Sequence, residues 1–287
     1  MPSADLLLQA LMDTRPPVLN PYAIELSRVS DSSEEDTAAY MLLVKSIEAE
    51  PYLLTQMVAV ANSVAHGIAG TYFYSAEDCV RRIGLSDTHN IVLTFYVKQA
   101  MDSIVGRSPI ALQLWTESVS SARLARLATR FLSSEVLAAQ VYLATLLSYL
   151  GELFIVSHTA REKLRPLTVF GASMEPSVDG EVNPYWTTLL LMDRLEVPSP
   201  IRQMVRGLSA LPVLDADAPA PQLPMGTAAA ILARQIIREK LKPSEVYSAQ
   251  LHPALVEIAI EELKLAPSDI ETLSKAGVRL LEQPWAV

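Results

Sequence analysis

The sequence predicts an all-α fold: a multi-helix bundle that carries a small helical extension at its C-terminal end. Apolar residues recur at helical spacing along most of the chain, between repeated signals for helix starts and stops. Strand-forming residues cluster only at 71–74, and this run is too short to indicate a sheet. Hydrophobic residues make up 50% of the chain, so a sizeable core can form.

Capping signals define the helices of the first third of the chain. A capping box that begins at Ser33 precedes the first long apolar stripe, and Pro51 occupies a first helical position. Gly67 is placed to end the helix that Pro51 opens, in a left-handed conformation. Ser75 repeats the capping pattern, and Gly84 stops the helix that follows.

The middle of the chain follows the same rules. Ser108 and the proline after it open a long helix. Ser134 opens the most apolar helix, which is predicted to run through Leu150. The stretch 165–184 is rich in proline and glycine and indicates a loop, and Asn183 then starts another helix.

The clearest linker is 211–224, which contains four prolines and two aspartates. We therefore divide the chain into a main helical domain at 1–210, a Pro/Ala-rich linker at 211–224 and a helical extension at 225–287. The extension is expected to pack back on the main domain, because helices of this length rarely stand alone.

The charge balance argues against nucleic acid and anionic lipid as partners. The formal net charge is −9 and the pI is near 5.0, whereas a nucleic-acid binder needs clustered cations. The densest basic stretch is Arg123, Arg126 and Arg130, which we interpret as a solvated helix face that pairs with Glu117 or Glu135.

Other features predict a cytoplasmic protein without a membrane span. The most apolar stretch, 136–156, is interrupted by polar residues, which indicates a buried core helix. The N-terminus has no basic region ahead of its apolar run, so it is not a secretory signal. The single cysteine, Cys79, cannot form an intramolecular disulfide and is interpreted as a buried structural thiol.

The residues that metal and cofactor chemistry needs are sparse, so neither a metal nor a cofactor is expected. His66, His89, His158 and His252 lie far apart in the sequence and are interpreted as surface or helix-end residues. No phosphate-binding loop, dinucleotide fingerprint or nucleophile elbow occurs.

A series of short sequence motifs is more informative than single residues. The motif residues that we expect to have a structural role are Pro51, Asn62, Ser63, Gly84, Trp115 and Gly151. Their order and spacing over about 15–210 resemble the HDOD domain, a bacterial signalling relative of the HD-type metal-dependent phosphohydrolases. The resemblance implies an HD-like helical bundle.

This sequence departs from the family's pattern at the positions where the catalytic relatives have metal ligands. Glu117 lies where the family usually has a histidine, and Ser148 and Tyr149 lie where the His-Asp pair is typical. Serine and tyrosine are poor replacements for a bridging His-Asp pair, so the resemblance implies a fold without the metal and its nucleophilic water. Glu117 and Tyr149 are expected to hydrogen-bond to each other in the core.

These observations predict a non-catalytic regulatory protein that binds protein partners in bacterial signal transduction. The linker and the C-terminal helices are candidate docking faces. One alternative is a sensor that binds a nucleotide or another small molecule in the relict pocket formed by Glu117, Ser148 and Tyr149. A second alternative is an enzyme whose metal site is rebuilt from Glu117 and distant carboxylates.

Overall fold

The computed structural model describes most of the chain. The described residues are 4–13, 19–28, 36–63, 72–102, 108–132, 138–159, 176–178, 181–209, 223–242, 247–249, 251 and 253–282. Helices dominate them, and the prediction of an all-α fold is confirmed.

The first nine helices and a short 3-10 turn build the greater part of the bundle. They are α1 (Ala4–Asp13), α2 (Pro21–Leu26), α3 (Asp36–Glu48), α4 (Pro51–Ala61), α5 (Ala76–Ile83), α6 (Leu85–Met101), α7 (Pro109–Ala128), η1 (Thr129–Phe131), α8 (Ala138–Leu147) and α9 (Leu150–His158). After a small hairpin, five more helices complete the described chain. These later elements are β1 (Ser177–Val178), β2 (Glu181–Val182), α10 (Pro184–Arg194), α11 (Ser199–Ser209), α12 (Met225–Lys240), α13 (Pro253–Leu263) and α14 (Pro267–Glu282).

Side-chain caps set the starts of several helices where the sequence predicts them. Ser75 accepts from the backbone N–H of Asp78, and Ser108 accepts from that of Ala111. Asn183 does the same for the first turn of α10. Each cap satisfies a backbone donor that has no partner within its helix. The capping box at Ser33 lies outside the described residues.

Helix α4 ends at Ala61, so the prediction that Gly67 ends it is wrong. The reason lies in the Asn62 side chain. Its Nδ2 donates to the carbonyl oxygens of Val58 at 2.9 Å and Phe73 at 2.8 Å. Its Oδ1 accepts from the Phe73 backbone N–H at 2.9 Å. These bonds fix the helix end against a segment eleven residues further along. Gly67 itself lies outside the described residues.

The most apolar part of the chain forms two helices, so the prediction of one helix through Leu150 is wrong. Helix α8 ends before Ser148, whose hydroxyl donates to the Thr145 carbonyl at 2.7 Å. The backbone N–H of Gly151 donates to Thr188 Oγ1 of α10 at 2.9 Å. Because a neighbouring helix supplies this acceptor, the chain can bend between α8 and α9 without losing a hydrogen bond.

Helix α7 lies at the centre of the fold. It packs against α8 and α9 of the main bundle, and against α12 and α14 from the region of the predicted extension. Helix α12 also contacts α8, α11 and α13. The last helices therefore share one hydrophobic core with the first nine. Most of the linker at 211–224 lies outside the described residues, and the domain boundaries stay a prediction.

The predicted arginine stripe, which runs from α7 into the 3-10 turn η1, is not a solvated face along its whole length. Arg126 is only 4% exposed, so that interpretation is wrong for this residue. Arg130 is exposed. Glu117 lies against Tyr149 rather than in an ion pair with the stripe, and Glu135 lies outside the described residues.

The histidines have different surroundings from one another. His89 is buried, which corrects the expectation of a surface residue, and its Nε2 lies 3.0 Å from the Leu26 carbonyl oxygen. Because a carbonyl can only accept, this nitrogen carries the proton. His158 is exposed at the end of α9, and His66 and His252 lie outside the described residues.

Two elements were not predicted from the sequence. The apolar N-terminal run forms α1, whose Leu7 and Leu11 are buried, and Arg194 of α10 donates to the Leu11 carbonyl. The region predicted to be a loop at 165–184 contains the antiparallel β1–β2 pair, with Ser177 opposite Val182.

One described stretch, Ala138–His158, is long and apolar enough to cross a membrane by length and composition. Inside the fold, 94% of its most apolar window is buried against other helices. Cys79 is buried as well, and burial, reinforced by the charge of Asp78, raises the pKa of its thiol to about 11. Such a thiol is poorly reactive at neutral pH.

Candidate functional site

The three residues that the family resemblance places at metal-ligand positions come together in the core. Glu117 lies in the middle of α7, and Ser148 and Tyr149 form the bend between α8 and α9. All three are 2% exposed or less. The Tyr149 hydroxyl donates to Glu117 Oε1 at 3.3 Å and lies 2.8 Å from the Ser121 hydroxyl.

An arginine from a distant part of the sequence fills the space between them. Arg234, in the middle of α12, is 2% exposed. Its Nη1 donates to Ser148 Oγ at 2.8 Å, and its Nη2 donates to Glu152 Oε1 at 2.5 Å. The guanidinium carbon lies 3.7 Å from the centre of the Tyr149 ring, in a cation–π contact. One cation thus joins both residues at the predicted His-Asp positions.

Glu152 completes the arrangement on the first turn of α9. Its carboxylate forms an ion pair with Arg234, and both side chains are almost fully buried, at 1% and 2% exposure. Oε1 also accepts from the backbone N–H of Ala249 at 3.2 Å. The bonds of Glu152 therefore tie α9 to α12 and to the segment that follows α12.

The electrostatics of the site follow from burial. Burial raises the pKa of Glu117 from its ordinary 4.5 to about 7, although Ser248 and Arg234 pull it downward. Burial also raises the pKa of the Tyr149 phenol. For Arg234, burial alone would lower the pKa, but Glu152, Tyr149 and Tyr185 raise it above the ordinary value. Arg234 is therefore charged at neutral pH.

These residues do not fit a divalent metal. Among the described residues, no three His, Cys, Asp or Glu side chains meet in a way that could hold a metal ion. The two carboxylates near the site, Glu117 and Glu152, already contact Tyr149 and Arg234. A fixed guanidinium at this place repels a second cation in a medium of low dielectric constant. Chemically, the arrangement can hold helices together and balance a buried charge.

Three of the six motif residues, Asn62, Gly84 and Gly151, hold neighbouring segments in place or allow them to pack closely. Asn62 caps α4 and bonds to Phe73. Gly84 adopts φ +90°, a left-handed conformation that suits glycine, between α5 and α6. Gly151 allows close packing of α9 on α10: a Cβ there would meet the Pro184 carbonyl oxygen at 1.8 Å.

The other three motif residues occupy helix ends and the core. Pro51 is the first residue of α4, where a missing N–H costs nothing. Ser63 donates its backbone N–H to the Val60 carbonyl at the end of the same helix. Trp115 is buried on α7. The hydrogen bonds of Arg234 and Glu152 that the described residues show involve none of these three.

Sequence reasoning missed Arg234 and Glu152. Glu152 lies inside the most apolar stretch of the chain, and Arg234 interrupts a run of alanine and isoleucine on α12. A lone charge in an apolar helix is rarely buried without a partner. Two such charges of opposite sign are therefore a signal for a buried pair, although the sequence does not show which helices meet.

Comparisons with known proteins agree with the observed architecture. The family model of the HDOD domain matches residues 17–175, more than half of the chain. A search of curated proteins found no significant match.

Three solved structures are similar over nearly the whole chain. An HDOD domain protein of unknown function from Geobacter sulfurreducens is 20% identical, with a TM-score of 0.57 over 97% of this chain and 98% of that one. A protein from Marinobacter aquaeolei VT8, named for a role in signal transduction, is 18% identical, with a TM-score of 0.61 over 97% of this chain. The match spans 63% of that longer protein.

The third similar structure comes from Shewanella amazonensis SB2B and is named for metal-dependent phosphohydrolase activity. It is 12% identical, with a TM-score of 0.53 over 98% of this chain and 97% of that one. Likeness at these identities shows that the helical fold is shared.

Proposed function

The chain belongs to the HDOD domain family, and from that premise we propose that it is a non-catalytic regulatory protein of bacterial signal transduction. One observation carries the proposal. The guanidinium of Arg234 contacts Ser148 and Tyr149, which the family resemblance places at metal-ligand positions, and forms an ion pair with Glu152. A fixed cation beside these residues disfavours the binding of a second cation. The fold is then kept as a scaffold.

The names of similar structures point in two directions. The Marinobacter protein is named for signal transduction and the Shewanella protein for phosphohydrolase activity, at 18% and 12% identity to this chain. The choice between the two roles therefore depends on residues of this chain. Ser148 and Tyr149 offer no bridging carboxylate or imidazole, which favours the regulatory role.

A regulatory scaffold needs a surface that binds another protein. Tyr72 and Tyr74 are 70% and 72% exposed. Their rings stack with centroids 6.4 Å apart. The backbone of Phe73, between them, is held by the Asn62 side chain, so the tyrosine pair is fixed to the end of α4. Exposed, pre-ordered tyrosines are common anchors of protein interfaces. This pair supports a docking surface on the α4–α5 side.

The C-terminal helices contribute to the scaffold in another way. Arg234 of α12 completes the core, so the region 225–287 acts together with the main domain rather than as a separate docking module. A truncation at residue 210 would leave Glu152 buried without its cation, and the loss of a partner could then reflect unfolding. Substitutions on the surface are the sharper test. We also propose a cytoplasmic location, from the single cysteine.

Catalysis is tested by assaying the purified chain with Mn²⁺, Mg²⁺ and Fe²⁺ against phosphomonoester and phosphodiester substrates. We expect no metal-dependent hydrolysis and no bound metal by elemental analysis. Glu117→Gln is the matched variant for any trace of activity, and Glu271→Gln on the exposed face of α14 is its control. Metal-dependent turnover that Glu117→Gln abolishes and Glu271→Gln preserves would contradict the proposal.

Partner binding is tested with the full-length tagged chain as bait in a lysate of the native host. We expect a specific partner that is lost when Tyr72 and Tyr74 are both changed to serine. Tyr52→Ser is the matched control, because Tyr52 is also an exposed tyrosine, at 61%, at the start of α4. A partner retained by the double variant would contradict the docking surface, and the absence of any partner would contradict the interaction mode.

The alternative of a nucleotide in the relict pocket is less well supported. The Arg234 guanidinium packs against the Tyr149 ring there. A ligand would have to displace a buried ion pair, which costs several kcal/mol.

A further inference from the structure

A separate cavity of about 420 Å³ lies where α3, the start of α6, the end of α7 and the start of α8 meet. This volume is within the range of small-molecule sites, roughly 300–1,000 Å³. None of Glu117, Ser148, Tyr149 and Arg234 lines the cavity. The cavity is therefore distinct from the site described above.

Two arginines form one wall of this cavity. Arg126 is 4% exposed, whereas Arg130, one turn further along, is exposed to solvent. The wall therefore runs from the interior to the surface, and a ligand can enter past Arg130. A guanidinium presents planar N–H donors that match the oxygens of a phosphate group. The hydroxyl-bearing residues Ser86 and Thr129 also line the cavity.

The described lining of the cavity favours an anion over a cation, because it includes two guanidinium groups. No Asp or Glu occurs among the described residues that line it. Asp87, which follows Ser86 directly, does not line the cavity, and its charge acts on Arg123 and Tyr142. His89, which lines the cavity, has Nε2 committed to the Leu26 carbonyl oxygen, so its ring is fixed in place.

The other walls are apolar. Leu43 and Leu85 line the cavity, together with the small side chains of Ala39 and Ala138. A ligand that fits both kinds of wall has an anionic end and a flat apolar body. We propose that this cavity binds a small phosphate ester of mononucleotide size, with its phosphate on Arg126 and Arg130 and its body against Leu43 and Leu85. This site does not depend on whether the chain is an enzyme or a scaffold.

The test is isothermal titration of the full chain with 5′-AMP and 5′-GMP, and separately with adenosine and inorganic phosphate. We expect at least one nucleotide to bind. Adenosine and phosphate alone are each expected to bind at least about tenfold more weakly, because each uses only one wall. Equal binding of adenosine and AMP would overturn the role of the arginines. No binding of either nucleotide would overturn the proposal as a whole.

Three variants locate the site. Arg130→Gln is expected to weaken nucleotide binding roughly tenfold, the usual loss for one charge-assisted contact. Ala138→Leu fills the cavity without changing charge and is expected to weaken binding at least as much. Arg279→Gln removes the same charge from the exposed face of α14 and should bind like the wild type. Affinity retained in Arg130→Gln or in Ala138→Leu would place the ligand elsewhere and overturn the proposal. Arg130 is exposed, so its variant is expected to fold normally.

Discussion

Arg234 of α12 and Glu152 of α9 form an ion pair in which the two side chains are only 2% and 1% exposed. Removing two charges from water costs several kcal/mol per ion, and their attraction offsets this only when other bonds satisfy them. Ser148 and the Ala249 backbone supply such bonds and Tyr149 adds a cation–π contact, whereas Glu152 Oε2 and Arg234 Nε are buried without a hydrogen-bond partner among the described residues. The ion pair therefore couples α12 to α9, because either charge left alone in the core would be costly.

Breaking this pair should destabilise the fold strongly. Arg234→Met keeps much of the side-chain volume but leaves the Glu152 carboxylate buried without a cation. We expect the free energy of unfolding to fall by about 3–5 kcal/mol, the usual cost of an orphaned buried charge. Urea unfolding curves of the variant and the wild type at neutral pH measure this difference in the free energy of unfolding.

Two controls separate charge from packing. Arg279→Met, on the exposed face of α14, is expected to change stability by less than about 0.5 kcal/mol. The double variant Arg234→Met with Glu152→Leu is expected to recover most of the loss, since no unpaired charge remains. A single variant as stable as the wild type, or a double variant less stable than the single one, would be contrary to this explanation.

Glu117 should make stability depend on pH. Burial raises its pKa from 4.5 to about 7, so the folded protein holds this proton more tightly than the unfolded chain does. The resulting stabilisation is complete below about pH 4.5 and is lost as the pH rises to about 7. Glu117→Gln has no proton to lose. Its free energy of unfolding, relative to the wild type, should therefore rise by roughly 3 kcal/mol between pH 4.5 and pH 8.

The measurement is a series of urea unfolding curves for both proteins over that pH range. Glu271→Gln on α14 serves as the control, because Glu271 is exposed in a surface pair with Lys275. A difference between wild type and Glu117→Gln that stays constant with pH would show that Glu117 keeps an ordinary pKa.

Local signals predicted most of the fold, because caps and apolar spacing act within one helix. Ser75, Ser108 and Asn183 each cap the helix that the sequence assigns to them. The failures have tertiary causes. Asn62 ends α4 through bonds to Phe73, and Gly151 helps to divide α8 from α9 through a bond to α10. Those partners lie outside the sequence of the helix whose end they determine, so local patterns do not reveal them.

The family resemblance located part of the candidate site, and the family assignment is confirmed by the match over residues 17–175. Glu117, Ser148 and Tyr149 do lie together in the core. The sequence did not predict Arg234, because it lies 82 positions from Glu152 and no local pattern connects the two. Likewise, the spacing of Arg126 on α7 suggested a solvated face, whereas packing of the surrounding helices buries it.

Asn62 should be sensitive to small changes in its side chain. Its amide makes three hydrogen bonds with backbone groups, one to Val58 and two to Phe73. Asn62→Ala removes all three and is expected to cost about 2–3 kcal/mol, because the Phe73 groups lose partners in a half-buried site. Asn62→Asp keeps the acceptor but loses both donor bonds, so an intermediate or larger loss of stability is expected.

Thermal unfolding followed by circular dichroism compares the two variants with the wild type, and Thr55→Ala on the exposed face of α4 is the control. Equal melting temperatures for Asn62→Ala and the wild type would contradict the anchor.

Gly151 should tolerate no side chain at all. A Cβ at this position would lie 1.8 Å from the Pro184 carbonyl oxygen and 2.8 Å from Thr188 Oγ1, and the first of these belongs to the backbone. Gly151→Ala must therefore move α10 away from α9, next to the bend that carries Tyr149. We expect a loss of about 3 kcal/mol or more, or failure to fold.

Gly84→Ala separates this steric effect from backbone strain. Gly84 has φ +90°, but no neighbouring atom lies within 4 Å of the position that an alanine methyl group would take, so alanine there is strained without a clash. We expect it to cost roughly 1–2 kcal/mol and to leave a folded protein. The soluble yield and the melting temperature of the two variants show which substitution is the more destabilising. If Gly151→Ala is no less stable than Gly84→Ala, the α9–α10 contact is looser than the structure indicates, and close packing is not the reason for glycine at this position.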